Sequence, residues 1–423
     1  MPANPLENTP PIPPLNSRSG SAPRRRLRTR KLHFARPDIG REEIQAVTRV
    51  LKSGWLTSGP ETLQFEQEFA RAVGAAEAVA VNSCTAALHL ALAGWNLGPD
   101  DAVLVPALTF TASAEIVEYS GSLPIILDVN RETYLMDAEI VEDFIRKSCD
   151  YKKGALIHRA SKKRIRAILP VHLGGRPCEM DELLALAKRY RLKVLEDAAH
   201  AFPATYNSRP IGAIGDATAF SFYATKNLTT GEGGMLTTNN KRLADRARRM
   251  RLHGIKGQTY GRKRWHYDVV DRGFKYNMSD INAALGRVQL ERSEDMLAHR
   301  RNIHAHYDRA LADIPGLRLN PTTPHSSSHH LYTLEIVSGK KSGGRGVSRD
   351  RFVEEMFARN IAVSLHFIPL YRLSHYRKTY GLKAKDYPNS EAIYRNIVSL
   401  PVYSAMSASD AADVTHAIRE SLL

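Results

Sequence analysis

Seven short apolar runs alternate with helix-like segments through the first part of this chain, and that rhythm is its strongest constraint. The runs fall at residues 78–81, 102–105, 124–127, 167–171, 193–195, 217–222 and 235–238. Between them, apolar residues recur at helical spacing over 85–93, 112–119, 138–145 and 180–190. Strands joined by crossover helices form βαβ units, so the pattern predicts an α/β domain with a mostly parallel sheet. Ligands of such sheets sit outside the carboxyl ends of the strands. We place this domain at residues 34–260.

A polar and aromatic segment, 254–276, follows. The pattern then predicts a strong helix over 279–300, opened by the N-cap Ser279 with Asp280 behind it. The remainder mixes strand-like runs (331–337, 362–366) with helices (349–359, 408–421). Residues 261–423 thus read as a connecting helix and a smaller α+β domain. With 423 residues the chain exceeds what one core usually holds, which fits two lobes. No repeat period is visible.

The formal charge of +16 is unevenly spread. Residues 1–33 carry seven Lys/Arg against Glu7, and residues 146–166 carry nine against Asp150, so the rest is near neutral. A globally basic nucleic-acid surface is therefore not implied. The Pro- and Ser-rich start reads as a disordered tail through residue 33, and 146–166 as a basic surface loop or insertion. Solvated charge explains both, and contact with a polyanion or acidic lipid stays open. An organelle transit peptide fits the Arg-rich start, but its prolines make a poor amphipathic helix. Cys84, Cys149 and Cys178 are widely spaced with no CxxC pair. That speaks against a disulfide framework or cysteine metal site and for a reducing cytoplasm. No run approaches a membrane span, and no secretory h-region opens the chain.

Four motifs carry chemistry. Val194-Leu195-Glu196-Asp197-Ala198-Ala199-His200 ends an apolar strand in acid, where a carboxylate can bind metal, act as a base or pair with a cationic ring nitrogen; loop capping is the plainer reading. Ser221-Phe222-Tyr223-Ala224-Thr225-Lys226 leads into a glycine-rich return at Gly231, Gly233 and Gly234. A lysine desolvated there can condense with a carbonyl. Asn82-Ser83-Cys84-Thr85 opens a helix whose free N–H groups suit a phosphate, although N-capping by Ser83 accounts for the same residues. Phe110, at a strand-to-helix junction, can stack on a flat ligand or serve the core. Together they describe one site for pyridoxal 5′-phosphate: lysine for the aldehyde, acid for the pyridine nitrogen, a ring for the face and a phosphate cradle.

In this order the motifs resemble the DegT/DnrJ/StrS family of sugar aminotransferases, of the fold type I aspartate aminotransferase superfamily. The likeness runs from about Phe34 to the C-terminus. It includes Ala35-Arg36-Pro37, Gly54-Trp55-Leu56-Thr57-Ser58-Gly59-Pro60, Gly273-Phe274-Lys275-Tyr276-Asn277-Met278-Ser279-Asp280 and His366-Phe367-Ile368-Pro369. The resemblance implies that Lys226 is the Schiff-base lysine and proton carrier, Asp197 the pyridinium partner and His200 the contact to the ring hydroxyl. It implies that Phe110 stacks on the ring, and that Cys84, Thr85 and Ser221 hold the phosphate. Asn277 matches a position that reaches the partner subunit's phosphate, which implies a homodimer with shared sites. Thr57 and His366 are implied for the sugar pocket. Cys84 stands where many relatives have glycine; backbone N–H donation survives that change. Neither the tail nor the 146–166 stretch inherits a family role.

The implied reaction moves an amino group from an amino acid, glutamate by analogy, to a nucleotide-linked keto-sugar. The Gly-Phe-Lys-Tyr-Asn-Met-Ser-Asp segment is closest to members acting on UDP-4-keto sugars, with dTDP-linked 3- or 4-keto sugars as the near alternative. Sugar 3-dehydratase relatives carry histidine at the lysine position, so Lys226 argues for transfer. A non-catalytic regulator on this fold is a further alternative.

Overall fold

The computed structural model describes residues 28–256, 266–337 and 346–423. Two helices come first, α1 (Arg41–Ser53) and α2 (Pro60–Ala72). Then follow β1 (Glu77–Val81), α3 (Cys84–Gly94), β2 (Asp101–Pro106), α4 (Ala112–Tyr119), β3 (Leu123–Leu127) and α5 (Ala138–Ser148). The chain continues through β4 (Cys149–Lys152), β5 (Ala155–His158), β6 (Arg164–Ile168), α6 (Met180–Tyr190) and β7 (Lys193–Asp197). A small hairpin, β8 (Thr205–Tyr206) and β9 (Arg209–Pro210), precedes β10 (Ala217–Ser221), β11 (Gly234–Thr238) and α7 (Lys241–Met250).

The main sheet runs β1-β11-β10-β7-β6-β2-β3. The pairs from β10 to β3 are parallel, while β11 is antiparallel to both its neighbours. Side-chain alternation splits each strand between two cores. Ala78, Ala80, Ala102, Leu104 and Val194 pack with Phe65 and Phe69 of α2, Val141 of α5 and Leu183 of α6. Val79, Val81, Val103, Val105 and Leu195 pack on the other face with Leu88 and Leu90 of α3 and Leu243 of α7. The strands read as nearly continuous apolar runs because both faces are covered.

The expected 279–300 helix is two helices, α8 (Asp280–Glu291) and α9 (Ser293–Leu311), joined at Arg292. Each serves a different neighbour. α8 packs on α1 and α2 and α9 on α13 (Ala408–Leu422), so the axis must change between them. The Arg292 side chain fixes the joint by pairing with Asp38 and Glu43. A second sheet, β12 (Leu317–Arg318), β13 (Tyr332–Ile336) and β14 (Ile397–Leu400), is antiparallel. α10 (Arg349–Ala358), α9 and α13 share its core. Two further helices, α11 (Ser374–Tyr380) and α12 (Pro388–Asn396), lie between.

Three expectations are corrected. The run at 362–366 forms no strand; only single bridges, Ile361 to Leu32 and Ser364 to Ser399, tie it down. The basic stretch 146–166 is no loop. Its residues end α5 and build the β4–β5 hairpin, which pairs with the start of β6, because Cys149, Leu156 and Ile165 alternate inward while the lysines face out. The tail was expected to run through residue 33; residues 1–27 lie outside the described residues, but 28–33 are docked. Leu32 is 3% exposed within the core of the antiparallel sheet, and Arg28 pairs with Asp410 and Asp413 of α13.

Candidate active site

Lys226 sits on the return between β10 and β11. That return is knotted onto itself: Phe222 N–H donates to Gly233 O, Thr230 N–H to Phe222 O, and Gly231 N–H to Thr229 Oγ1. Gly231 holds φ at +79°, a conformation glycine takes without penalty. The next residue, Asn227, is buried and donates to Phe202 O (3.0 Å) and Ser328 O (2.8 Å). Anchored on both sides, Lys226 faces a cavity of about 410 Å³. Burial pulls its amine down to about 8, opposed by the negative potential of Cys84 and Asp197.

Asp197 closes β7 at the same end of the sheet and is 6% exposed. Ser113 Oγ donates to its Oδ2 (2.8 Å) and Ala199 N–H to its Oδ1 (3.1 Å). Burial raises its pKa; those two donors and Lys226 act against that rise. Behind it, Glu196 turns away from the cavity. It accepts from His172 Nε2 (3.0 Å), Gly215 N–H and Thr218 Oγ1, and so locks the strand end.

His200 lines the cavity with its tautomer fixed. Gly174 N–H donates to Nδ1 (3.2 Å), which leaves the ring proton on Nε2. Burial and the Lys226 cation hold it well below the usual histidine range, so it is a neutral donor.

The start of α3 forms the opposite wall. Ser83 Oγ caps Ala86 N–H (3.1 Å), and the first-turn N–H groups of Cys84 and Thr85 have no acceptor among the described residues. Gly234 lets β11 ride directly on this turn, since a Cβ there would fall 2.4 Å from Ser83 C and 2.6 Å from Cys84 N. Ser221 faces the same space. Cys84, Cys149 and Cys178 are all free and buried.

Phe110 is 60% exposed yet lines the cavity, leaving its ring available rather than in the core. His366 lines it too. Its Nδ1 lies 2.9 Å from Ser399 Oγ, and burial with Lys226 drives it down to about 3. The structure therefore brings together Lys226, Asp197, His200, Cys84, Thr85, Ser221, Phe110 and His366. It does not bring Asn277 or Thr57 into the cavity of their own chain. Asn277 bridges to Val81 and donates to Ser58 Oγ (2.9 Å), and Thr57 is exposed on the loop before α2.

Other cavity residues escaped sequence reasoning. His330 is 7% exposed, with its Nδ1 2.8 Å from Asn227 Oδ1. Both protons of the Asn227 amide nitrogen go to carbonyls, so His330 donates from Nδ1 and its Nε2 is an acceptor. Phe34 stacks on His366 at 5.4 Å. A histidine ahead of an apolar strand gave no signal for the first. The second lay where the expected tail ends.

A parallel-sheet domain that gathers a depressed lysine, a buried carboxylate, a free aromatic face and a bare helix N-terminus at its strand ends is that of a pyridoxal-phosphate-dependent enzyme of fold type I. The profile of the DegT/DnrJ/EryC1/StrS aminotransferase family matches residues 37–419, and the chain belongs to that family. Spore coat polysaccharide biosynthesis protein SpsC of Bacillus subtilis is 44% identical over 396 residues, covering 92% of this chain and 96% of its own. The putative sugar aminotransferase Spr1654 of Streptococcus pneumoniae, solved in its PLP form, superposes with a TM-score of 0.81 at 31% identity, covering 92% of this chain and 98% of that one. DesV of S. venezuelae gives 0.78 at 33% identity, covering 90% and 94%.

Proposed function

We propose that this enzyme transfers an amino group from an amino acid, glutamate foremost, to a nucleotide-linked keto-sugar, with UDP-4-keto hexoses or pentoses as the favoured class. The alternative is a dTDP-linked 3- or 4-keto sugar. The observation that carries the reading is the convergence of Lys226 and Asp197 on one cavity beside the bare first turn of α3. Loss of the lysine would have favoured dehydratase chemistry.

The residues present fit pyridoxal 5′-phosphate. Two N–H groups unpaired among the described residues suit a phosphate together with Ser221, Phe110 offers an uncovered face, and about 410 Å³ accommodates the ring with room beyond it. When bound, the cofactor supplies the electron sink and carries the amino group between two half-reactions.

The chain supplies the rest. Lys226 would hold the aldehyde and move protons; with its amine near 8, half is unprotonated at that pH, against well under 1% for an ordinary lysine. Positioned proton transfer of this kind contributes roughly 10²–10⁴-fold. Asp197, with two donors on its oxygens that favour the ionised acid, would pair with the ring nitrogen. His200 would offer its Nε2–H to the ring hydroxyl. His366 lines the sugar side.

The enzyme works as a homodimer in which Asn277 and Thr57 serve the partner's cavity. Their absence from their own cavity and their tie through Ser58 support this. Three free buried cysteines suit a cytoplasmic setting. The test is to offer a panel of UDP- and dTDP-keto-sugars to the pyridoxamine form and detect aminated product by mass. Product from a UDP-4-keto sugar is expected; amination of dTDP sugars alone would move the substrate class, and none at all would remove the reading.

A further inference from the structure

We infer that Thr109 and Ser113 are positioning residues that together set the ionisation of Asp197 and seat Phe110, so that one hydroxyl chain governs both the edge and the face of the bound ring. This rests on the reading of Asp197 as partner of the ring nitrogen and extends it to two buried hydroxyls behind that carboxylate, of which Thr109 also borders the cavity.

The chain of contacts is short and closed to solvent. Ser113 Oγ donates to Asp197 Oδ2 at 2.8 Å, and Thr109 Oγ1 lies 2.8 Å from Ser113 Oγ. Thr109 is 2% exposed and Ser113 0%. Ser113 has one proton and spends it on the carboxylate, so the second bond is donated by Thr109. Hydroxyls in series polarise one another, and the effect is largest where water is excluded.

A carboxylate buried this deeply would otherwise keep its own proton. It could not then hold a proton on a ring nitrogen. The titratable groups facing it are Lys226, His172 and Cys84. The His172 ring is spent elsewhere, its Nε2 on Glu196 and its Nδ1 accepting from Cys178 N–H. Ser113 and the Ala199 N–H remain as the direct donors that favour the ionised acid.

The same pair closes the loop that presents Phe110. Thr109 ends the turn leaving β2 and Ser113 lies in the first turn of α4, with Phe110 between them. From the other side Thr111 Oγ1 meets Tyr376 OH (2.7 Å) and donates to Glu115 (3.1 Å). The ring is therefore aimed by its neighbours even though it is itself mostly uncovered.

The test uses full-length holoenzyme carrying Ser113→Ala, Thr109→Val or Ser113→Thr. The readout is the pH titration of the bound cofactor's visible absorption, with kcat and KM for the amino donor beside it. Losing the Ser113 donor makes Asp197 more basic and draws the proton from the ring, so the less electron-poor chromophore holds its own proton to higher pH. Ser113→Ala should move the midpoint up by at least about half a pH unit. It should also lower kcat about tenfold with donor KM within about twofold. Thr109→Val should act in the same direction with a smaller shift, and Ser113→Thr should restore wild-type behaviour. If Ser113→Ala does not fold, the near-isosteric Thr109→Val decides alone. Wild-type titrations in both hydroxyl-deletion variants would overturn the inference. Absence of any visible band in the wild type would instead overturn the proposed function.

Discussion

Replacing Lys226 by methionine should make the cofactor-free protein more stable while abolishing transfer. The amine falls from 10.5 to about 8 because burial disfavours its charge. At about 1.36 kcal/mol for each tenfold change in proton affinity, the charged form costs roughly 3 kcal/mol; this is an upper bound, since the side chain borders an open cavity. The sign follows from linkage. The unfolded chain binds the lysine proton up to 10.5 and the folded chain only up to about 8, so the full cost is present below pH 8. It fades as pH climbs from 8 to 10.5. Guanidinium unfolding of wild type and Lys226→Met should therefore show a gain of about 1–3 kcal/mol at pH 7 that shrinks below about 1 kcal/mol at pH 10. A variant no more stable than wild type at pH 7, or a gain that persists unchanged at pH 10, would refute the reasoning.

Other consequences are equally direct. Gly234→Ala pushes a methyl into the Ser83–Cys84 backbone, and cofactor affinity measured by absorbance titration should fall at least about tenfold with secondary structure retained. Glu391 is held down to about 2 by Arg372 and Arg395, with a further bond from Tyr371, so it contributes stability above the unfolded 4.5 that is lost as pH falls toward 2. Glu391→Gln should cost roughly 2 kcal/mol at pH 7 and nothing near pH 2, read from unfolding midpoints. Glu335 is fully buried, accepting both arms of Arg131 (2.7 Å each) and Tyr134 OH (2.5 Å); Glu335→Ala should cost about 3–5 kcal/mol in the same assay. Mixing inactive Lys226→Ala and Asn277→Ala chains should regenerate activity in mixed dimers, whereas silence would deny that Asn277 serves the partner's cavity.

The legible parts of this molecule were those where one short window carries the physics. Strands buried on both faces, such as β2 and β7, announce themselves as unbroken apolar runs. Lys226 stood out because a strand led into it and glycines followed. The β4–β5 hairpin was hidden because it lies inside a stretch, 146–166, that carries nine Lys/Arg, and only Cys149 and Leu156 turn inward. The break at Arg292 depends on Asp38 and Glu43, some 250 residues away in sequence, and no local pattern encodes such a partner. His330 is in the same position: its tautomer is set by Asn227, a residue 103 positions upstream. Phe110 illustrates the opposite case, in which sequence left two readings open and its exposure takes it out of the core.

Reductive trapping tests the central claim most directly. Borohydride treatment of the protein loaded with pyridoxal 5′-phosphate, followed by peptide mass analysis, should place the pyridoxyl mass on Lys226. A label on any other lysine, or a protein that binds the cofactor yet yields no labelled peptide, would contradict the account.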